Sequence, residues 1–479
     1  MNSLYNSDFN FSKYIAQVED VDPISYIGYV SGVEGLEILS RGPCAKIGEI
    51  CNIIFPDKRK LMAEVVGLDG TTVKLTAFGT TEGIEVGCEV VGTGAPLQVP
   101  VGMSLLGRTI DASGKPYDGL GEIVPDGYYP AVASPPDPMT RLPVNRRITT
   151  GVRAIDSLLT VGRGQRLGIF AGSGVGKSTL LSIIARNTDA DINVIGLIGE
   201  RGREVLDFIN RDLGKEGLKR SVIVVATSDQ PSICRLRAAY VCTALAEYFR
   251  DMGKDVMLMM DSVTRFAHAQ REIGLANGEP PAQRGYPPSV FDMIPKLLER
   301  SGTNDKGSIT AFYTVLVDGD DMNEPITDKV RGTLDGHIVL SRKLAQSYHY
   351  PAIDVLNSIS RLSRRVTGRN TQKAAGKIRE LMAVYQNNAQ MINAGIYQKG
   401  TSPDIDESID IHPAIEDFLK QEEYDLCPMK DTLDKLKALS GVDIPFDEYS
   451  VNPAEGLQST AQIADESARI KNGIVNEEI

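Results

Sequence analysis

The spacing of apolar and polar positions divides the chain into regions of different character. Between residues 25 and 100, short β-rich segments alternate with glycine turns, which predicts a small β-barrel. These segments are Tyr26–Val30, Leu36–Leu39, Glu49–Phe55 and a hairpin of Ala63–Gly67 with Thr71–Phe78. Residues 97–150 are rich in proline and glycine and predict a connector.

The pattern changes between residues 165 and 342, where near-continuous apolar runs alternate with helical segments. Such runs predict a parallel sheet with helices on both faces. They are Leu167–Ala171, Ile192–Ile198, Val222–Ala226, Val256–Met260 and Ile309–Val317. Residues 370–440 are predicted to be mainly helical. Near the amino terminus, apolar residues at helical spacing between Phe11 and Val18 indicate either a frayed end or a helix that docks on a partner.

A glycine-rich segment directly follows the first of these runs. Residues 171–178 read A-G-S-G-V-G-K-S and open a predicted helix over Lys177–Arg186. This context is that of a phosphate-binding P-loop, although Ala171 stands where the strict pattern has glycine. Lys177 would reach the β- and γ-phosphates, and the Ser178 hydroxyl would bind Mg²⁺. The predicted nucleotide-binding residues are Gly172, Ser173, Gly174, Val175, Gly176, Lys177, Ser178 and Thr179.

Two carboxylates stand where strands of the predicted sheet end. Asp261 closes an apolar run in the Walker B arrangement, which places it in the Mg²⁺ shell beside the P-loop. Glu200 comes just after the strand that follows the P-loop helix, and a carboxylate there can orient the water that attacks the γ-phosphate. The spacing alone leaves a second interpretation of Glu200 open, a structural salt bridge with a nearby arginine.

Two further segments carry charged residues with candidate roles. Arg361 follows a short polar turn, and its spacing fits either a surface charge or an arginine finger that stabilises transition-state charge. Asp318–Asn323 resembles the start of a calcium loop, but it lacks the required residues and the closing glutamate, so calcium is rejected. No N-K-x-D motif for reading guanine is present, which favours ATP over GTP.

Composition and charge narrow the function classes. The 479 residues include 51 Lys and Arg and 63 Asp and Glu, a net charge of −12 that disfavours binding to nucleic acid. The acidity is concentrated in residues 401–479, which have a net charge of −13, whereas residues 1–400 have a net charge of +1. The sequence shows no secretory signal and no apolar stretch near the ~18–20 residues that span a bilayer. We therefore expect a cytoplasmic protein.

Five segments together resemble the ATPases of flagellar and virulence type III protein export, which are relatives of the rotary ATP synthase β subunit. They are Phe170–Leu181, Gly199–Glu204, Arg284–Val290, Asp320–Pro325 and Ser358–Arg361. The resemblance covers roughly residues 25–425, and relatives usually end soon after the stretch that matches Ile415–Gln421. The ATP synthase β subunit and the RNA-translocating helicase Rho both differ in the P-loop, which disfavours an ATP synthase-type subunit and an RNA-translocating ring helicase as alternatives. The intact set of Lys177, Glu200 and Asp261 disfavours a non-catalytic ring subunit.

The resemblance implies an α/β fold with a RecA-like P-loop ATPase core, an N-terminal small β-barrel and a C-terminal helical domain. It implies a homo-hexameric ring with ATP and Mg²⁺ at the subunit interfaces. Glu200 matches the catalytic glutamate, Arg201 and Arg265 match arginines near the γ-phosphate, Arg361 matches the finger inserted into the neighbouring site, and Tyr350 matches an aromatic that stacks on adenine. Asp320–Pro325 matches a loop facing a central coiled-coil stalk protein. The N-terminal apolar residues match the segment that binds a regulatory, stator-like protein.

From these observations we divide the chain into five parts: a partner-binding segment (1–24), the barrel (25–98), the ATPase domain (99–370), the helical domain (371–440) and an acidic tail (441–479). The tail holds eight acidic and two basic residues and is expected to be solvated. The hypothesis is an Mg²⁺-dependent ATPase at the cytoplasmic face of the flagellar export apparatus. It would bind export chaperones and substrates, release the chaperone and deliver cargo to the membrane export gate. The virulence secretion ATPase stays open as the alternative.

Overall fold

The computed structural model describes residues 26–450, so the predicted partner-binding segment 1–24 and residues 451–479 of the predicted acidic tail lie outside the described residues. The described chain forms two compact units, the first ending at Leu97 and the second beginning at Gln98. The first unit is the predicted barrel. Six antiparallel strands close on themselves in the order β1-β2-β5-β4-β3-β6. Their bounds are β1 Ile27–Glu34, β2 Glu37–Arg41, β3 Glu49–Ile54, β4 Lys60–Asp69, β5 Thr72–Ala77 and β6 Glu89–Pro96.

Apolar side chains from several strands fill the interior of the barrel. Val30, Ile38, Ile53 and Leu75 are almost fully buried and form its apolar interior. The predicted hairpin is the pair β4–β5, with Asp69 opposite Thr72. The sixth strand, β6, has no counterpart in the sequence prediction, since its second half is glycine-rich and exposed.

The second unit is built on a nine-stranded sheet. Eight strands lie in the order β19-β18-β12-β17-β15-β13-β14-β8, and β16 pairs with β17. All neighbours are parallel except β18–β19 and β16–β17. The bounds along this unit are β7 Gln98–Val101, β8 Thr109–Asp111, β9 Gly127–Pro130, β10 Arg147–Ile148, β11 Val161–Gly162, β12 Arg166–Ala171, β13 Ile192–Ile198, β14 Ser221–Ala226, β15 Asp255–Asp261, β16 Gly302–Thr303, β17 Ser308–Leu316, β18 Gly336–Leu340 and β19 Ile353–Ser360.

Helices cover both faces of this sheet and continue into the carboxyl-terminal part. The α-helices are α1 Arg153–Leu158, α2 Lys177–Asn187, α3 Gly202–Asp207, α4 Gly214–Lys219, α5 Ser232–Asp251, α6 Val263–Ala276, α7 Pro288–Leu298, α8 Pro325–Thr333, α9 Arg342–Gln346, α10 Ser363–Val366, α11 Arg369–Asn393, α12 Pro403–Leu419 and α13 Met429–Ser440. A π-helical turn spans Phe208–Leu213, and 3₁₀ turns span Met103–Leu105, Pro138–Thr140, Gln283–Gly285, Asp318–Asp320 and Phe446–Tyr449. Among the described helices, none is both long and apolar enough to cross a membrane.

The central strands are buried on both faces, as their continuous apolar runs predicted. Every residue of Ile192–Ile198 and of Ser221–Ala226 is buried. The helical domain shares this core, because Ile378, Phe418 and Leu433 belong to the same apolar cluster as the sheet residues. Helix α11 begins at Arg369, so the predicted division between residues 370 and 371 falls inside a helix.

Three sequence-based expectations need correction. Residues 97–150 are not only a connector, since β8 within them adds an edge strand to the sheet beside β14. Ser358–Ser360 is not a polar turn, because it ends the antiparallel edge strand β19. The tail is not solvated from its start, since Ile444 and Glu448 are buried. Strand β8 and the start of the tail are each ordered by a partner distant in sequence, whereas β19 pairs with the strand before it.

Candidate functional site

The P-loop connects the carboxyl end of β12 to the first turn of α2. Gly174 and Gly176 have φ angles of 78° and 93°, a backbone conformation that residues with a Cβ rarely adopt. Val175 is 2% exposed and anchors the loop to the apolar core, while Ser173, Gly174 and Ser178 are exposed. The loop therefore presents backbone N–H groups and the start of a helix to one space, which suits an anion.

Three predicted residues from different strand ends meet at this loop. The Lys177 ammonium contacts the Asp261 carboxylate and lies 3.5 Å from Glu200 Oε1. Asp261 is 2% exposed, and its Oδ1 accepts a 2.8 Å hydrogen bond from the Thr314 hydroxyl. The cationic neighbour of Glu200 is thus the P-loop lysine, and no arginine ion pair to Glu200 is found in the part of the chain that the structure describes.

Burial controls the protonation of this cluster. It raises the pKa of Glu200 to about 7, and the negative charge of Asp261 adds to the rise, although Lys177 opposes it. Burial acts to lower the pKa of Lys177, but the attraction of Asp261 and Glu200 outweighs burial and raises it. The site therefore combines a permanently charged lysine with a carboxyl group that titrates near neutral pH.

The two arginines predicted near the γ-phosphate lie in different surroundings. The stem of Arg265 packs against Gly199, where an added Cβ would lie 2.8 Å from Arg265 Cγ. Its Nε is buried with no hydrogen-bond partner among the described residues. Arg201, in contrast, is on the surface with a side chain 81% exposed and pairs with Glu204 at 3.2 Å. The structure thus packs Arg265 on Gly199, the residue before Glu200, but leaves Arg201 outside the cluster.

A pocket of about 830 Å³ opens next to the P-loop. Tyr350 lines it, with ring carbons 3.6 Å from where a Cβ on Gly176 would lie. The first turns of α2 form another side through Thr179 and Ile183, and residues 417–425 of the helical domain form the third. Gln421 joins the helical domain to Tyr350 and to the start of α1, since its backbone N–H donates to the Tyr350 carbonyl at 2.9 Å, its side-chain amide N–H donates to the Gly151 carbonyl, and its side-chain oxygen accepts from the Arg153 N–H.

Arg361 lies at the amino-terminal end of the parallel strands, whereas the P-loop of its own chain lies at their carboxyl-terminal end. Its backbone N–H donates to the Asp335 carbonyl, and Asp335 in turn donates to the Arg166 carbonyl, at the amino end of β12. The P-loop begins five residues further along β12, which at about 3.3 Å per residue is roughly 17 Å away. The exposed Arg361 side chain is too short to reach the P-loop of its own chain.

The predicted stalk-facing loop, Asp320–Pro325, is tied to the ATPase domain by two ion pairs. Asp321 pairs with Arg284 at 3.1 Å, and Asp320 pairs with Arg342 at 3.5 Å. A Cβ on Gly172 would lie 2.6 Å from Arg342 Nη2, so this arginine also contacts the P-loop. The loop is therefore adjacent to the phosphate site.

Comparisons with known proteins agree with this architecture. Family models match residues 30–94 as the β-barrel domain of the ATP synthase α/β family, 151–360 as the nucleotide-binding domain of that family, and 367–438 as the C-terminal domain of the type III secretion ATPase EscN. The flagellum-specific ATP synthase of Treponema pallidum is 56% identical over 433 residues, which cover 90% of this chain and 97% of that protein. The chain belongs to the family of flagellar and type III secretion ATPases.

Other members of the family are also close in sequence and structure. A type 3 secretion system ATPase from Xanthomonas euvesicatoria is 51% identical over 400 residues, covering 83% of this chain and 90% of the relative. The structure of the assembled ATPase EscN from enteropathogenic E. coli matches with a TM-score of 0.82 and 45% identity, covering 86% of this chain and all of that one. A second structure, EscN in complex with its central stalk EscO, matches with a TM-score of 0.81 and 44% identity over the same shares.

The family match corrects one expectation, and the structure adds two residues that sequence reasoning missed. Likeness to the family does not end soon after Gln421, because the C-terminal domain match extends to residue 438. Thr314 and Gln421 had no signal in the sequence, since a threonine within a strand and a glutamine after a helix are common. Only the fold brings Thr314 to Asp261 and Gln421 to Tyr350.

Proposed function

We propose that this chain is an Mg²⁺-dependent ATPase that powers export of flagellar proteins through a type III apparatus. The observation that carries the proposal is the convergence of Lys177, Glu200 and Asp261 at the P-loop of a member of this ATPase family. The lysine supplies positive charge for the phosphates, and the two carboxylates serve the metal and the attacking water. Membership of the family supports ATP as the nucleotide.

The residues present fit a magnesium ion. Asp261 is a buried carboxylate, and Ser178 offers an exposed hydroxyl in the first turn of α2, so both provide the oxygen donors that Mg²⁺ prefers. No group of three or more His, Cys, Asp or Glu side chains in the described range could hold a metal ion. This agrees with a cation held by one or two protein oxygens together with substrate phosphates. When bound, Mg²⁺ would neutralise charge on the β- and γ-phosphates.

Glu200 acts on the water. In the proposed mechanism the ionised carboxylate accepts a proton from the water that attacks the γ-phosphate, so the attacking oxygen gains electron density as the bond to the leaving ADP breaks. Arg265 packs on Gly199, the residue before Glu200, and its buried Nε has no partner in residues 26–450. A phosphate oxygen would supply the acceptor that this Nε lacks. Tyr350 stacks on the adenine in the pocket that it lines.

Arg361 completes the site of a neighbouring subunit. Because it lies roughly 17 Å from the P-loop of its own chain, it can stabilise transition-state charge only in another copy. This requirement supports the homo-hexameric ring with nucleotide at the interfaces. The loop Asp320–Pro325 would face the central stalk protein, and a movement of that loop would reach the P-loop through Arg342.

Catalysis is tested by removing Lys177. Lys177→Ala should reduce phosphate release by at least about 100-fold, because the phosphate charge loses its main counter-charge. Lys215→Ala, which removes an exposed lysine of the same unit, should leave the rate unchanged. Normal hydrolysis by Lys177→Ala would refute the site assignment.

The shared site is tested by mixing two inactive variants before rings assemble. Arg361→Ala subunits keep an intact P-loop, while Glu200→Gln subunits keep an intact Arg361. Mixed rings should recover part of the activity, since some P-loops then receive a finger from a Glu200→Gln neighbour. No recovery at any ratio would count against action across the interface.

The export system is identified by the cargo. Because flagellar and virulence relatives are both close, a tagged chain should be recovered from a flagellated host with its partners. Co-purification of rod, hook or filament proteins with their chaperones, a stator-like protein and a membrane export gate supports the flagellar role. Recovery of virulence effectors instead would favour the alternative.

A further inference from the structure

Residues 441–450, called here the C-terminal strap, follow the last helix and lie beyond the C-terminal family match. Ile444 is 2% exposed and Glu448 is 7% exposed, although the segment begins an acidic stretch of the sequence. A buried carboxylate requires strong compensating interactions. The partners of Glu448 therefore indicate what the strap does.

The Glu448 carboxylate caps helix α11. It accepts hydrogen bonds from the backbone N–H of Asn370 at 3.0 Å, from that of Thr371 at 2.8 Å and from the Thr371 hydroxyl at 2.6 Å. The N-cap position itself is Gly368, which has no side chain to do this. A carboxylate at a helix N-terminus also interacts favourably with the helix dipole. The helix thus takes its cap from a residue 77 positions away from Thr371.

The backbone of the strap is held by the ATPase domain. Arg147 on β10 is 2% exposed and donates to the carbonyls of Glu448, at 3.1 Å, and of Tyr449. Tyr449 also donates its hydroxyl to Asp434 of α13 at 2.7 Å. The strap therefore links β10, α13 and the start of α11.

Helix α11 in turn holds the segment 358–367, which carries Arg361. Gln372 donates from Nε2 to the carbonyls of Arg364 at 2.9 Å and Thr367 at 2.8 Å. Arg379 donates to the Ser358 carbonyl at 3.1 Å. The first three turns of the helix are therefore bonded to the backbone on both sides of Arg361, so a shift of the helix start would displace the finger.

The strap also places a carboxylate beside a basic stretch of the sequence. Residues 361–379 contain seven bases and no acid. Glu448 brings a carboxylate from outside this stretch to its helix. Because the carboxylate is charged, the hydrogen bonds that it accepts there are stronger than those of a neutral cap. Gly368 leaves room for the Glu448 carboxylate, because a Cβ at position 368 would lie 2.0 Å from Glu448 Cδ.

We propose that Glu448 is a positioning residue for ATP hydrolysis, through which the C-terminal strap sets the place of Arg361 in the neighbouring subunit. The inference rests on the proposed function, since it requires Arg361 to act in trans. Loss of the cap would let the segment 358–367 shift by a fraction of a helical turn. A misplacement of about 1 Å can cost up to roughly 100-fold in rate.

The test compares three variants at a temperature at which each remains folded. Glu448→Ala removes the cap, and Gly368→Ala displaces it while keeping the charge. Both should lower kcat roughly tenfold with an unchanged dissociation constant for a fluorescent ATP analogue, because the P-loop of the same subunit is intact. Asp447→Ala, which removes an exposed acid from the same turn, should keep the wild-type kcat. Equal kcat in Glu448→Ala and Asp447→Ala would overturn the proposal.

Mixed rings separate positioning from simple damage to the fold. Glu448→Ala subunits mixed with Glu200→Gln subunits should gain turnover per intact P-loop, because the Glu200→Gln neighbours supply a well-placed Arg361. A damaged subunit would gain nothing, and that outcome would overturn the inference. The mixture of Arg361→Ala with Glu200→Gln is the reference. If the reference recovers and the Glu448→Ala mixture does not, the strap proposal fails alone; if neither recovers, the shared site of the proposed function fails with it.

Discussion

The titration of Glu200 should control ATP turnover across neutral pH. Its pKa is raised from 4.5 to about 7, first by burial and then by the charge of Asp261. A base must be ionised to accept a proton, and a raised pKa means that the ionised form is lost as the pH falls below about 7. Activity should therefore be present at mildly alkaline pH and decline on acidification.

The size of the effect follows from that pKa. With a value near 7, about 9% of Glu200 is ionised at pH 6 and about 91% at pH 8, so kcat/KM should rise roughly tenfold between them. With the ordinary value of 4.5, about 97% would already be ionised at pH 6 and the profile would be flat. The measurement is steady-state phosphate release at saturating Mg²⁺ from pH 5.5 to 9, since kcat/KM reports the free enzyme.

A variant of Glu204 distinguishes the titration of Glu200 from the titration of ATP itself. A hydrogen bond from Glu200 to Glu204, together with the charge of Glu204, contributes to the raised pKa. Glu204→Gln should therefore move the midpoint of the profile to lower pH, whereas a midpoint set by the nucleotide would stay in place. A flat wild-type profile, or a midpoint identical in both proteins, would refute the reasoning.

Three other substitutions test the pocket and the core. Tyr350→Ala should weaken binding of a fluorescent ATP analogue about tenfold, while Tyr350→Phe, which keeps the ring, should bind almost normally; equal affinities would argue against stacking. Glu247→Ala should lower the free energy of unfolding by about 3–5 kcal/mol because it leaves the buried Arg300 guanidinium without its carboxylate partner, whereas loss of the exposed Glu216 should cost under about 1 kcal/mol in the same urea titration. Leu433→Ala should cost about 2–5 kcal/mol if the helical domain shares the core of the sheet, and a melting temperature near wild type would contradict this.

Local patterns were sufficient for much of the fold. The five apolar runs of the ATPase domain correspond to β12, β13, β14, β15 and β17, because strands buried on both faces must be apolar throughout. The helix after the P-loop begins at Lys177 as expected. Weakly patterned strands could not be found in this way. Strands β6 and β8 owe their pairing to strands distant in sequence, and β19 pairs with the strand before it as an edge strand of mixed burial.

The sequence by itself determined the chemistry available to this protein: a glycine loop whose backbone suits phosphate, a lysine and a hydroxyl at its end, and carboxylates at the ends of strands. These features are local, because they depend on the φ angles of glycine and on alternation along a strand. Only the tertiary structure decided how the chemistry is arranged. It set the pKa of Glu200 through burial, placed Arg361 away from its own P-loop, and brought Glu448 to a helix start 77 residues before it. Burial and long-range hydrogen bonds are properties of the folded chain as a whole, so no local pattern records them.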